Sequence, residues 1–265
     1  MAGFVQSNEK VLPLLRVQGI SKSFNGVVAL KSIDIDLFPG EILGLIGDNG
    51  AGKSTLIKIL SGAHLPDSGR LFICGCPVDF KTFDVGSARH LGIETVFQDR
   101  SLGDKQPLWR NIFAGRPIVN RLGFIRVAAQ KRRTMEIMSR YVGLSGAGIS
   151  ADARVRQLSG GERQGLVIGR AMHFKSRIII LDEPTTALSL QEADKVLAFV
   201  THSVGKDSGC IYISHNMSHV HRVVHRIILL DKGTIAGQYW TKDISIEQLV
   251  AKMIQLQTIP QENRS

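Results

Sequence analysis

The run Gly47-Asp48-Asn49-Gly50-Ala51-Gly52-Lys53-Ser54-Thr55 carries the densest chemistry in this sequence. It satisfies the spacing G-x-x-x-x-G-K-[ST] without a mismatch. Glycines at 47, 50 and 52 admit backbone conformations closed to residues with a Cβ. That freedom turns successive backbone N–H groups inward as a nest for a phosphate anion. A helix beginning near Lys53 adds the positive end of its dipole. Lys53 would reach the β- and γ-phosphates of a nucleotide, and the Ser54 hydroxyl would ligate Mg²⁺.

A second centre is Ile178-Ile179-Ile180-Leu181-Asp182-Glu183-Pro184. The branched apolar residues make a buried strand. Two adjacent carboxylates at its C-terminal end are costly unless a cation or a bound water uses them. In this Walker B arrangement Asp182 would hold Mg²⁺ through water, and Glu183 would accept a proton from the water attacking the γ-phosphate. The competing role for the pair is to cap the next helix. Gln98, after Ile93–Phe97, and His215, after Cys210–Ser214, fall at strand ends, where ligands collect in such folds. Phe24, an aromatic shortly before the P-loop, either stacks on a nucleobase or joins the core. His215, His219, His221 and His225 have near-helical spacing, which suits zinc, but no acid or cysteine lies nearby to complete a site.

These groups need elements to hold them. Glu41–Ile46 is a short apolar run suited to a buried parallel strand, and Ser54–Leu60 suits a helix. Strand, loop and helix thus come in the order a phosphate cradle requires. Leu14–Ile20 and Ile33–Leu37 read as strands, with a turn at Pro39-Gly40. Gly69–Ile73 reads as a further strand, Phe83–Leu91 as a short helix, and Val127–Tyr141 as a helical pattern followed by a loop, Gly143–Ala153. Ser159 is an N-cap, and Glu162 completes a capping box for a helix reaching about Phe174. Leu188–Ser203 is an amphipathic helix. Arg226–Tyr239 is a hairpin turning at Asp231-Lys232-Gly233, and Ile246–Ile254 is a last helix before a polar tail. The P-loop does not recur, so the chain carries one set of nucleotide motifs.

With 265 residues, 43% of them apolar, the chain can bury a core. No apolar run approaches the roughly 18 residues that span a bilayer. Met1–Lys10 has no basic region followed by an apolar run, so no secretory signal is expected. Cys74, Cys76 and Cys210 suit neither a disulfide framework nor a zinc site and are expected as reduced thiols. The net charge of +10 is uneven: Lys105 to Met135 holds no Asp or Glu, but it holds Lys105, Arg110, Arg116, Arg121, Arg126, Lys131, Arg132 and Arg133. Such a stretch faces nucleic acid, an anionic membrane or an acidic partner, or is a solvated face.

Together these motifs resemble the ATP-binding subunits of ABC transporters, from about Leu14 to Ile254. The most diagnostic element is Leu158-Ser159-Gly160-Gly161-Glu162-Arg163-Gln164, which is similar to that family's signature motif. The resemblance implies an α/β fold: a P-loop NTPase (ABC-type) core of mixed sheet flanked by helices, with an N-terminal antiparallel β subdomain and an inserted helical subdomain. Residues 1–265 would form one domain. Within it, 14–97 and 166–240 would be the ATP-binding core, 98–165 the helical subdomain and 241–265 a C-terminal helix and tail. ATP and Mg²⁺ are the implied cofactors. Phe24 matches the adenine-stacking aromatic, Gln98 the glutamine that contacts Mg²⁺ and the γ-phosphate, and His215 the switch histidine that hydrogen-bonds the γ-phosphate. In this family the signature of one subunit faces the P-loop of another. The Ser159 hydroxyl and the Gly160 and Gly161 amides would therefore grip the γ-phosphate in trans, and two chains would pair.

The implied partners are a second ATPase subunit in a homodimer, transmembrane permease subunits and, indirectly, a periplasmic sugar-binding protein. The implied place is the cytoplasmic face of the inner membrane, as a peripheral subunit. Gly47–Ser54, Gly92–Asp99 and Ile213–Val220 resemble ATPases of bacterial monosaccharide importers of the fructose/ribose type, in their single-domain branch. The basic stretch falls in the expected helical subdomain, which favours a permease- or membrane-facing role over a nucleic-acid one. The alternatives are a soluble ABC ATPase acting on nucleic acid or ribosomes, and an exporter ATPase. Two departures stand out: Ser189 replaces the Asp of many relatives, and Trp109–Phe113 replaces a more acidic sequence.

Overall fold

The computed structural model describes residues 11–97, 102–139, 150–174, 176–186 and 188–258. Two sheets form its frame. An antiparallel sheet comprises β1 (Leu15–Phe24), β2 (Val27–Leu37), β4 (Ser68–Ile73) and β5 (Cys76–Pro77), in the order β2-β1-β4-β5. The other draws on β3 (Ile42–Ile46), β6 (Ile93–Val96), β7 (Ile178–Asp182), β8 (Gly209–Ile213), β9 (Arg226–Asp231) and β10 (Thr234–Trp240), in the order β10-β9-β3-β8-β7-β6. Its strands pair in parallel from β9 to β6, and β10 pairs antiparallel with β9, so the sheet is mixed. Every residue of β3 and β8 is buried, which is why these strands read as continuous apolar runs: both faces of a parallel sheet are covered.

The helices are α1 (Lys53–Leu60), α2 (Val85–His90), α3 (Leu108–Ile112), α4 (Val127–Ile137), α5 (Gly160–His173), α6 (Leu190–Ser203), α7 (Met217–Val223) and α8 (Ile246–Thr258). One core cluster joins the antiparallel sheet and α1 to one face of the mixed sheet, through residues such as Leu15, Ile33, Ile57, Ile180 and Ile213. A second packs the other face against α5, α6 and α7, with Ile46, Val167, Ile179, Leu197 and Val220. A third and smaller cluster gathers Leu108, Ile112, Ile137 and Val155 against Leu166 of α5. It gives α3 and α4 a core of their own.

The first hairpin is longer than the sequence pattern suggests. β1 runs on to Phe24, and β2 starts at Val27 rather than near Ile33. Its turn is Asn25-Gly26, with φ of 47° and 84°, the paired left-handed conformation that Asn-Gly favours in tight hairpins. Register shifts between Val17 and Ser23 interrupt the pairing, and they erase the alternation by which a strand is recognised. Elsewhere the expected elements appear with ends shifted by a few residues. α4 is regular to Ile137. The last two residues expected of it, the loop over 143–149, the polar tail past Thr258 and the segment Met1–Lys10 lie outside the described residues.

The basic stretch is partly neutralised by acids from outside it. The Arg116 guanidinium lies 3.2 Å from the buried Glu94 carboxylate and 4.8 Å from the Phe174 ring centre. Lys131 pairs with Asp152 at 2.7 Å, and Arg133 pairs with Glu136. Between α3 and α4, Leu122 and Phe124 stand exposed. Cys74, Cys76 and Cys210 are free thiols. Among the described residues no helix is long and apolar enough to cross a membrane.

Candidate functional site

Three parallel strands bring the chemistry together. β3, β8 and β7 lie side by side, with Leu45 opposite Ile213 and Ile213 opposite Asp182. Their C-terminal ends therefore open at one edge, where a parallel sheet collects its ligands. β3 delivers the P-loop, β7 delivers Asp182 and Glu183, and β8 delivers Ser214 and His215. The resulting cavity, about 210 Å³, is lined by Asn49 through Thr55, Asp182, Glu183 and His215, with Ala29 of β2 completing the wall.

The loop needs its glycines. Gly47 has φ 150°, and a Cβ there would lie 2.2 Å from the Leu230 carbonyl oxygen; Gly52 has φ 107° and meets the Ala29 carbonyl at 2.7 Å. Both contacts come from backbone packed behind the loop, so neither position admits a side chain. The turn after β9 braces the same loop, with the Gly233 amide donating to the Ala51 carbonyl at 3.0 Å. Lys53, the first residue of α1, is buried. Its ammonium donates to the carbonyls of Gly47 at 2.5 Å and Asp48 at 2.9 Å. Burial pushes the Lys53 pKa down, and the charges of Glu183, Asp182 and Asp48 work against that shift. A buried cation in a glycine-lined loop is what a polyphosphate needs.

Glu183 is held under strain. It is a non-glycine residue at φ 51°, a left-handed conformation that costs free energy unless its surroundings enforce it. The enforcement is visible. Its amide donates to the Ile213 carbonyl at 3.0 Å. Its Oε2 accepts from the Thr186 hydroxyl at 3.1 Å and from the Ser214 hydroxyl at 3.4 Å. Oε1 is buried, accepts no hydrogen bond among the described residues, and lies 3.3 Å from His215 Nε2. One carboxylate oxygen is thus pinned while the other is left able to accept a proton.

Ser54 and Asp182 share this cavity, as a Mg²⁺ site requires. Among the described residues no group of three or more His, Cys, Asp and Glu side chains comes together to bind a metal. A magnesium ion at Ser54 and Asp182 would take the rest of its shell from phosphate and water, as that ion commonly does. The residues present fit both ATP and Mg²⁺. The other histidines have separate structural partners: His219 bonds Thr185, His221 bonds the Ile244 carbonyl, and His225 accepts from the Ile42 amide.

Among the described residues, Phe24 and the signature residues stand apart from this cavity. Phe24 ends β1, partly exposed, with its ring edge-on to His64 at 5.5 Å and the Lys22 ammonium 5.4 Å from its centre; it is not part of the cavity wall. Gln98 lies outside the described residues. Ser159, Gly160 and Gly161 open α5. The Ser159 hydroxyl accepts from the Glu162 amide at 3.3 Å while the Glu162 carboxylate accepts from the Ser159 amide at 2.7 Å. The expected capping box is therefore present.

A residue absent from the sequence reading joins that helix start. Glu192, in the first turn of α6, accepts from the Gly161 amide through Oε1 at 2.9 Å and from the Ser189 amide and hydroxyl through Oε2 at 3.1 and 3.0 Å. The Gly161 amide first, then the Ser189 amide and the Ser159 and Ser189 hydroxyls, hold its pKa down at about 2. Ser189 is the N-cap of α6 in a second capping box. Serine and aspartate serve equally well as N-caps, so the Ser189 departure keeps the helix start intact. The signal was in the sequence: Ser189-x-x-Glu192 repeats the spacing of Ser159-x-x-Glu162.

Residues 30–186 match the family described as ABC transporter. A xylose/arabinose import ATP-binding protein of Sulfolobus acidocaldarius is 38% identical over 241 residues, covering 91% of this chain and 93% of its own length. A fructose import ATP-binding protein of Rhizobium meliloti is 38% identical over 256 residues, covering 94% of this chain and 97% of its own. A ribose import ATP-binding protein of Rubrobacter xylanophilus is also 38% identical, but the match spans only 47% of its length. Among solved structures, a nucleotide-free ATP-binding cassette from an ABC transporter superposes with a TM-score of 0.77 at 22% identity, over 94% of this chain and all of that one. A dimeric bacterial ABC transporter cassette superposes with a TM-score of 0.71 at 23% identity, over 87% of this chain.

Proposed function

The chain belongs to the ABC transporter family as an ATP-binding, ATP-hydrolysing subunit, and from that premise we propose that it energises the import of a monosaccharide, by ATP-driven closure of a subunit pair coupled to a membrane permease. The relatives at full-length coverage are named for import of xylose/arabinose and of fructose, which supports a sugar as cargo. Its place would be the cytoplasmic face of the cell membrane, with the permease, and indirectly a sugar-binding protein, as partners. The helical segment over 98–165 would face the permease.

In this reading Lys53 and the amides from Gly47 to Thr55 cradle the β- and γ-phosphates. Ser54 and Asp182 hold Mg²⁺, with Gln98 as a further contact. Mg²⁺, when bound, would draw negative charge off the phosphates as the terminal bond breaks. Glu183 takes the proton of the attacking water on Oε1, while Thr186 and Ser214 fix its orientation through Oε2. His215 hydrogen-bonds the γ-phosphate, Phe24 stacks on adenine, and Ser159, Gly160 and Gly161 close over the γ-phosphate of the opposing subunit's ATP. Phosphoryl transfer asks for positioning and electrostatics more than covalent chemistry, and this arrangement supplies both.

The observation that carries the reading is the Glu183 carboxylate beside the P-loop cavity, with one oxygen clamped and the other buried without a hydrogen bond among the described residues. Glu183→Gln keeps the shape and removes the base. We expect ATP turnover to fall by roughly 10²- to 10⁴-fold with ATP affinity retained, and full turnover in that variant would overturn the general-base role. The sugar reading is checked by co-purifying the protein with its permease from solubilised membranes and measuring uptake of labelled pentoses and hexoses by cells lacking it. Unimpaired uptake of all of them would remove it.

A further inference from the structure

The Gly161 amide is claimed twice. The proposed function assigns it to the γ-phosphate of the opposing subunit's ATP, yet in this chain it donates to Glu192 Oε1 at 2.9 Å. Glu192 sits hard against the helix start: a Cβ on Gly161 would come within 2.8 Å of both the Glu192 Cβ and Cγ. There is no room for a single added carbon on that side. One amide hydrogen also does not serve two anions, and a carboxylate and a phosphate brought together at one helix N-terminus repel each other.

We propose that the Glu192 carboxylate competes with the opposing subunit's γ-phosphate for the Gly161 amide, so that pairing requires Glu192 to release it. This rests on the reading that the signature residues bind ATP in trans.

The division of labour between the two carboxylate oxygens makes the release feasible. Oε1 serves Gly161, while Oε2 serves the Ser189 amide and hydroxyl on its own helix. Swinging Oε1 away gives up the Gly161 hydrogen bond and leaves the N-cap of α6 in place. The signature helix keeps its own cap too, since Ser159 and Glu162 close their box with each other, although the Ser159 hydroxyl also reaches Glu192. Neither helix unravels when the contact opens. The contact also ties the signature helix to the segment that follows Asp182 and Glu183. Release at Gly161 breaks that tie at the helix starts, while α5 and α6 stay packed through Val167 and Leu197.

The alternative is a purely structural strut, and it predicts the opposite sign. If Glu192 only braced the signature helix, its loss would hinder pairing. If it competes with phosphate, its loss promotes pairing. The test uses the full chain carrying Glu183→Gln, so that ATP is bound without being consumed, and follows dimer formation by light scattering as ATP and Mg²⁺ are titrated. Adding Glu192→Gln removes the charge while leaving an acceptor for Ser189. We expect the half-point of the titration to fall roughly tenfold, the size of one charge-assisted hydrogen bond. Glu192→Asp keeps the charge and the cap but shortens the reach to Gly161; it should move the half-point the same way and serves if the Gln variant folds poorly. An unchanged or higher half-point in both variants overturns the proposal. If the Glu183→Gln parent itself fails to pair with ATP, the trans reading falls and this inference with it. If the parent pairs and the Glu192 variants do not shift it, only this inference falls.

Discussion

The two halves of the proposed ATP site solve the anion problem in opposite ways. On the P-loop side, Lys53 is buried against carbonyls of its own loop, and the Glu183 backbone is held in a left-handed conformation. The cation is preorganised, so an arriving phosphate gains from it with little rearrangement, and the proposed base is held in place before it arrives. On the signature side, the donors at Glu162 and Gly161 are already matched by the Ser159 hydroxyl and the Glu192 carboxylate. An arriving phosphate there must exchange with an anion the chain itself provides. Affinity should therefore reside in the first half and control over pairing in the second.

The largest effect that bears on this contrast is on nucleotide binding by the single subunit. Lys53→Ala removes the buried cation, and ATP affinity measured calorimetrically should fall roughly 10- to 100-fold, the range for charge-assisted hydrogen bonds. Ser159→Ala in the same assay should change it by less than about twofold, because no P-loop faces that hydroxyl within one chain. Equal losses in the two variants would break the division between the halves.

How far this contrast was legible in the sequence follows from where each interaction is encoded. The P-loop, the apolar strand ending in Asp182-Glu183 and the helix start at Ser159 are local patterns. Each places its own residues, and the parallel ladder from β3 through β8 to β7 then sets the strand ends side by side. The first hairpin was only half visible, because its irregular register blurs the strand alternation; Asn25-Gly26 was the clue that would have extended it. The clamp on Glu183 joins residues 31 positions apart at Ser214, and the Glu192–Gly161 contact also spans 31. Neither is written in any local spacing. The partial neutralisation of the acid-free stretch is hidden in the same manner, since Glu94 and Asp152 lie outside it in sequence.

A finer effect separates the two capping boxes. Ser159→Ala and Ser189→Ala each delete an N-cap, and each should cost about 1 kcal/mol in urea denaturation of the monomer. Equal stability losses should accompany unequal consequences for pairing. Ser159→Ala also removes a proposed γ-phosphate ligand and should raise the ATP needed to pair, whereas Ser189→Ala loosens the hold on Glu192 and should not. Identical pairing behaviour would reduce the signature serine to a cap.

The smallest effect is a pH dependence with a definite sign. The Glu192 carboxyl titrates at about 2 in the folded chain against an ordinary value of 4.5. The charged form is thus favoured by folding. Its contribution to stability is fully present above pH 4.5 and is lost as pH falls from there towards 2. Glutamine does not titrate, so the stability difference between the parent and Glu192→Gln isolates this group from other carboxylates. That difference should be level between pH 8 and about 5 and should shrink on further acidification. A gap that stayed constant through pH 3 would mean that the carboxylate is not held as a charge by Gly161 and Ser189, and the competition with phosphate would lose its physical basis.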